Sequence, residues 1–216
     1  MGHPQPHTPR QKLFSRGQDE RIIRVAMDLL RQEGPESVNA RRIAKHLDVH
    51  PQHVDELFPD DGALWSAILN RVHDSLMRLL EHVAAGATDP LAALEDTFDS
   101  HVSYISKNPV IAQLLTHLSQ SRGPQLRRQV RRIVQGYESN LAILISLAQK
   151  QDLVRPDVEA SAAARLFITM IHGLVFRTFM TGESDSMVDD PSQIFSIYVA
   201  GIQTHTPKKG EKNEMA

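Results

Sequence analysis

The sequence predicts an all-α protein, and three observations predict it. Apolar residues recur at i, i+3, i+4 and i+7 through most of the chain. Proline, glycine and Asx residues interrupt that pattern at helix-length intervals. No stretch alternates polar and apolar long enough for a strand, and there is no internal repeat or glycine-rich phosphate loop.

Residues 1–15 are rich in Pro and His and read as a flexible N-terminal arm. Arg10 and Lys12, with Arg16 just after the arm, suit phosphates or a minor groove, the alternative being a disordered, solubilising leader. The spacing predicts a first helix over Gln18–Glu33, with Ile22, Ile23, Ala26, Leu29 and Leu30 on one side. Gly34 stops it and Pro35 prevents its continuation.

Two short helices follow, and the chain is organised around them. Ile43, Ala44 and Leu47 form one apolar face, with Asn39 as N-cap. Asp48 suits a sharp left-handed turn, because Asp tolerates that backbone better than most residues. Val49 is expected as a buried plug. Pro51 opens the second short helix, where its missing N–H costs nothing, and Val54, Leu57 and Phe58 face inward. Two such helices across a tight turn describe a helix-turn-helix.

Asp60 then caps a fourth helix running to about Gly86, long enough to join a head to a body. Thr88-Asp89-Pro90 opens a fifth, Pro90–Lys107, which Asn108-Pro109 breaks. A short sixth is expected over Val110–Ser119 and a seventh over Gln125–Gln151. The eighth is expected over Val158–Met180 and the ninth over Pro191–His205. The organisation read from this is an arm (1–15), a helix-turn-helix domain (16–63), a helical body (64–205) and a disordered tail (206–216).

Composition narrows the function. At 41% hydrophobic, 216 residues can bury a core. The absence of cysteine excludes a disulfide framework and thiolate catalysis. The N-terminus lacks the apolar run of a secretory signal, and no apolar run approaches the ~18 residues of a membrane span, so a cytoplasmic location is expected. No paired carboxylate, nucleophile–base pair or cofactor motif has interpretable spacing, so neither an enzyme nor a cofactor is expected. Net charge is −2, and residues 1–60 carry nine Lys/Arg against nine Asp/Glu, a weak electrostatic footprint for a DNA binder.

The stretch VNARRIAKHLDVHPQHVDELFPDDGAL resembles the DNA-binding head of TetR-type one-component regulators. Ile43, Ala44, Val49, Phe58, Pro59 and Leu64 match that pattern. Asn39 stands where the family usually has Thr, and His50 where it has Ser. Asp55 replaces the recognition-helix Tyr and Asp61 the Lys that opens the next helix, both usual phosphate contacts in the family. The resemblance implies a homodimeric transcription regulator, most often a repressor, on a palindromic double-stranded DNA operator. It also implies that 64–205 is a helical ligand-binding and dimerisation domain, its body helices enclosing a small-molecule effector.

The candidate DNA-binding residues are Asn39, Arg41, Arg42, Lys45, His50, Pro51, Gln52, His53 and Asp55. Gln52 suits adenine in the major groove, and Arg41, Arg42 and Lys45 suit phosphates. A carboxylate ~4 Å from a phosphate costs on the order of 4 kcal/mol at an effective dielectric of ~20. Asp55 and Glu56 therefore oppose binding unless they face away or accept from cytosine N4. They leave open a rival reading, a helical dimer that binds a ligand or protein and has given up DNA. His50 and His53 also have a metal-pair spacing, but that spacing is common by chance, and no metal site is expected.

The candidate ligand-binding residues are Phe98, His101, Tyr104, His117, Phe167, Met170, Ile171 and Phe176, aromatic, sulfur and imidazole groups on apolar helix faces. The eighth and ninth helices are apolar nearly all round, which predicts burial on two sides and a homodimer through helices 8 and 9. Arg122, Arg127, Arg128, Arg131 and Arg132 form a basic patch, read as a solvated helix face or a seat for an acidic partner.

Overall fold

The computed structural model describes residues 9–108, 110, 114, 118, 123–181 and 191–204. Every regular element among them is helical apart from one isolated bridge between Val154 and Gln203. The helices are α1 (Pro9–Glu33), α2 (Ala40–Leu47), α3 (Pro51–Leu57), α4 (Asp61–Gly86), α5 (Pro90–Lys107), α6 (Pro124–Lys150), α7 (Ala160–Thr181) and α8 (Pro191–Ile202), with a 3-10 turn at Pro35–Ser37. Of the short helix expected over 110–119, Val110, Leu114 and Leu118 are described; all three are helical, and Leu114 and Leu118 are fully buried.

α1 starts at Pro9 and not at Gln18, so residues 9–15 are helical where a flexible arm was expected. Proline suits a first helical position, and Arg10, Gln11, Lys12 and Leu13 are ordinary or good helix formers. At the other end Gly34, with φ 85°, turns the chain out of the helix, and its N–H bonds Leu30 O at 3.0 Å.

Two compact units emerge. One comprises Met1–Arg78 with Lys107–Val134, the other Leu79–Ser106 with Gln135–Ala216. In the first, α1, α2 and α3 pack on one another. Ile22, Ala26, Leu30, Ile43, Ala44 and Val54 are buried there, as are Leu64, Trp65, Ile68 and Leu69 from α4. Gln129 of α6 is the polar knot of this unit. Its amide donates to Ser66 O at 3.0 Å and Asn70 Oδ1 at 2.8 Å, and its Oε1 accepts from Ser66 Oγ at 2.8 Å.

The second unit is built round aromatic rings. Phe98 meets Phe167 edge-on at 5.4 Å and Phe195 at 5.2 Å, and Phe195 meets Tyr198 at 5.8 Å. Tyr198 also donates to Ala163 O at 3.1 Å, which ties α8 to α7. The loop after α6 is stitched to the end of α8 by Arg155 N to Ile202 O (2.9 Å) and Thr204 N to Leu153 O (3.0 Å).

Candidate functional site: the helix-turn-helix and the body interior

The turn is assembled from local chemistry. Asn39 caps α2, its Oδ1 accepting from Arg42 N at 3.0 Å. Asp48 ends α2 at φ 55°, ψ 47°, the left-handed conformation that redirects the chain. His50 caps α3, its Nδ1 accepting from Gln52 N at 3.3 Å, and Pro51 follows at the first helical position. The buried side of this pair is Ile43, Ala44 and Val54. Val49 does not plug the interior as expected and is 38% exposed. Its backbone closes the turn instead, Val49 N bonding Ala44 O at 3.0 Å, and the chain is already leaving the left-handed corner.

The outward surface carries most of the candidate DNA contacts. Arg41, Lys45, His50, Gln52 and Asp55 are exposed, while Pro51, His53 and Asn39 are half-buried. Arg42 is not free for a phosphate as it stands. Its guanidinium pairs with Glu33 at 2.6 Å. His53 Nδ1 lies 3.9 Å from Glu56 Oε2 on the next turn of α3. Asp55 and Glu56 both face solvent. No group of three or more metal-ligating side chains among the described residues is placed to hold an ion.

Charge is divided unevenly between the two units. The unit holding the turn has seventeen Lys/Arg and eleven Asp/Glu, a net +6; the other has seven and fifteen, a net −8. The weak footprint read from residues 1–60 therefore does not describe the folded unit. Segment 107–134, distant in sequence, supplies six basic residues and no acidic one.

The body interior gathers several of the candidate ligand residues. Phe98, Phe167 and Ile171 are fully buried, His101 is buried, and Tyr104 and Met170 are half-buried. His117 lies outside the described residues. Phe176 is 65% exposed and does not join this interior. It shares a helical face with exposed Leu166, while Leu174 and Val175 turn inward. Three further groups escaped the sequence reading. Tyr137 Oη is 2.8 Å from His101 Nδ1. Thr97, one turn before His101, is fully buried, and its hydroxyl has no hydrogen-bond partner among the described residues. Phe195 completes the ring cluster. Only the i, i+4 spacing of Thr97 and His101 on α5 signalled any of them. Burial, with the charge of His172 adding to it, holds the His101 imidazole down to about 3. Burial also pushes the Tyr137 hydroxyl up. The interior polar groups are thus neutral.

A helix-turn-helix is followed in the chain by longer helices. The particular fold is that of the TetR-family transcription regulators. A TetR transcription regulator from Haloarcula marismortui superposes with a TM-score of 0.77 at 20% identity, covering 88% of this chain and 100% of that one. Another from Chloroflexus aurantiacus gives 0.76 at 16%, covering 89% and 100%. The regulator FadR from Bacillus subtilis, solved in complex with stearoyl-CoA, gives 0.72 at 17%, covering 85% and 98%. In sequence, the chain is 19% identical over 181 residues to the nucleoid occlusion factor SlmA of Haemophilus influenzae, 82% of this chain and 83% of that protein. No family model matches.

Proposed function

We propose that this chain is a ligand-responsive transcription regulator, acting as a homodimer that represses from a palindromic operator. One observation carries the reading: a capped α2, a left-handed corner at Asp48 and a capped α3 whose outer face offers His50, Gln52 and Asp55 to a groove. The positive charge of the unit that holds this face supports it. Residues 16–63 would be the reading head and 64–205 the body. No described helix is long and apolar enough to cross a membrane, and a cytoplasmic site of action belongs to this proposal.

The dimer seam we assign to α7 and α8. Leu166, Phe176 and Met180 are 50%, 65% and 71% exposed and lie within about 80° of one another round α7; Ile197 on α8 is 73% exposed. Gly173 sits on the same face, and a side chain there would meet nothing within 4 Å in the protomer, which suits close approach by a second helix. The effector would lie among Phe98, His101, Tyr104, Phe167, Met170 and Ile171, and would shift the equilibrium only by its difference in affinity for the two arrangements.

The rival, a dimer that has left DNA, draws on the two exposed carboxylates of α3. Selection from a random duplex library followed by footprinting separates the two. The regulator recovers a two-fold symmetric site, and Gln52→Ala loses about 1–3 kcal/mol of discrimination at one base pair of each half-site. Recovery of no enriched sequence supports the rival. Light scattering checks the seam: Phe176→Glu is expected to turn a dimer into a monomer.

A further inference from the structure

The arginine face of α6 lies outside both the helix-turn-helix and the body interior. Arg127, Arg128, Arg131 and Arg132 are all exposed. They fall within an arc of about 140° round the helix. The side that carries Leu126, Gln129, Val130 and Ile133 is buried.

These arginines lie in the N-terminal third of α6, whose first turn has no acidic residue. No acid follows on α6 until Glu138. No ion pair engages Arg128, Arg131 or Arg132 among the described residues. Positive charge concentrated on one exposed face, with no acid on the same stretch, marks a surface kept for a partner.

Charge complementarity makes that partner an anion, and the fold narrows its kind. The face belongs to the same compact unit as the helix-turn-helix. Gln129, among the arginines in sequence but turned inward, is bonded to Ser66 and Asn70 of α4, the helix that follows α3 directly. Residues 1–78 carry eleven basic and eleven acidic side chains, so they attract a polyanion only by local placement. The whole +6 of the unit comes from 107–134. The residues are arginines, whose planar fork meets phosphate through two parallel hydrogen bonds.

We propose that the arginine face of α6 is a second phosphate-binding surface, outside the helix-turn-helix, that holds the backbone of duplex DNA and supplies most of the sequence-independent affinity. The proposal rests on the DNA-binding reading. It explains how residues 1–78, of zero net charge and with Asp55 and Glu56 outward, gain affinity without changing the residues that read bases.

The test uses the full-length protein and a random-sequence duplex of about 40 base pairs, with binding followed by fluorescence anisotropy from about 50 to about 200 mM KCl. Arg127→Gln, Arg128→Gln, Arg131→Gln and Arg132→Gln are combined in one variant, and the four lysine replacements in a second. Both are checked for an unchanged melting temperature, which exposed positions should keep. Each lost phosphate contact removes about 0.9 from the slope of log affinity against log salt. The glutamine variant is expected to flatten that slope by about 2 to 4, and the lysine variant to retain most of it. If the wild type binds and the glutamine variant keeps the full slope, the second surface is overturned while the DNA reading stands. If the wild type ignores duplex DNA at low salt, both fall. If labelled poly-glutamate binds the wild type but not the glutamine variant, and the DNA slope is unchanged, the face serves an acidic protein segment and the proposal is overturned.

Discussion

The two compact units solve the folding problem by different means. In the one with the helix-turn-helix, the two short helices of the turn are fixed at their starts by single polar groups, Asn39 Oδ1 and His50 Nδ1, and the longer α4 by Asp60 Oδ1, which accepts from Ala63 N at 2.7 Å. The other uses long helices held by interlocked rings, with a neutral His101–Tyr137 pair sealed among them. The first is positive and the second negative. The difference teaches how each unit suits its proposed role: caps at the turn leave the side chains proposed to face DNA outward, while ring packing removes charge from the interior proposed to take the effector.

The largest test of that contrast is Phe98→Ala. It removes a fully buried ring from the centre of the aromatic cluster and is expected to cost about 3–5 kcal/mol, read from urea unfolding. A cost near 1 kcal/mol would mean that the rings are not what holds the second unit.

Acid provides the next. The His101 pKa in the folded protein, about 3, lies below the ordinary 6.5. The unfolded chain therefore binds the extra proton first as pH falls. Stability from the neutral ring is complete above pH 6.5 and declines as the pH falls from about 6.5 toward about 3. His101→Gln, which can still hydrogen-bond Tyr137, is expected to flatten the fall in melting temperature over that window. An identical pH profile in wild type and variant would place the acid sensitivity elsewhere.

In the first unit, Asn39→Ala tests the reliance on caps. The loss of one N-cap bond is expected to cost about 1 kcal/mol and to weaken DNA binding as α2 frays. The smallest effect on stability is expected from Glu33→Gln. The Arg42–Glu33 pair is exposed at both ends, so its removal changes stability by less than about 1 kcal/mol. It frees Arg42 for phosphate, so binding to duplex DNA should tighten a few-fold. Weaker binding would show that Glu33 orients Arg42 and does not occupy it.

Much of this was legible in the residues. α5 spans Pro90–Lys107 as read, because Asp89 and Pro90 at one end and Asn108-Pro109 at the other are strong local signals. The left-handed Asp48, the Asn39 cap and Pro51 at the start of α3 were readable for the same reason. α1 was read short because the Pro- and His-rich composition of the first residues hid a usable helix start at Pro9. Val49 and Phe176 were misplaced because hydrophobicity says that a side chain prefers burial, not whether the fold has room for it.

The sequence by itself determined the all-helical class, the breaks between helices and the helix-turn-helix, since each follows from groups within a few residues of one another. Tertiary structure decided which segments share a unit. It joined the acid-free stretch 107–134 to residues 1–78 and made their zero net charge part of a positive unit. It also brought Tyr137 of α6 to His101 of α5. Pairings across dozens of residues depend on how apolar faces are buried together, and no local pattern records that choice.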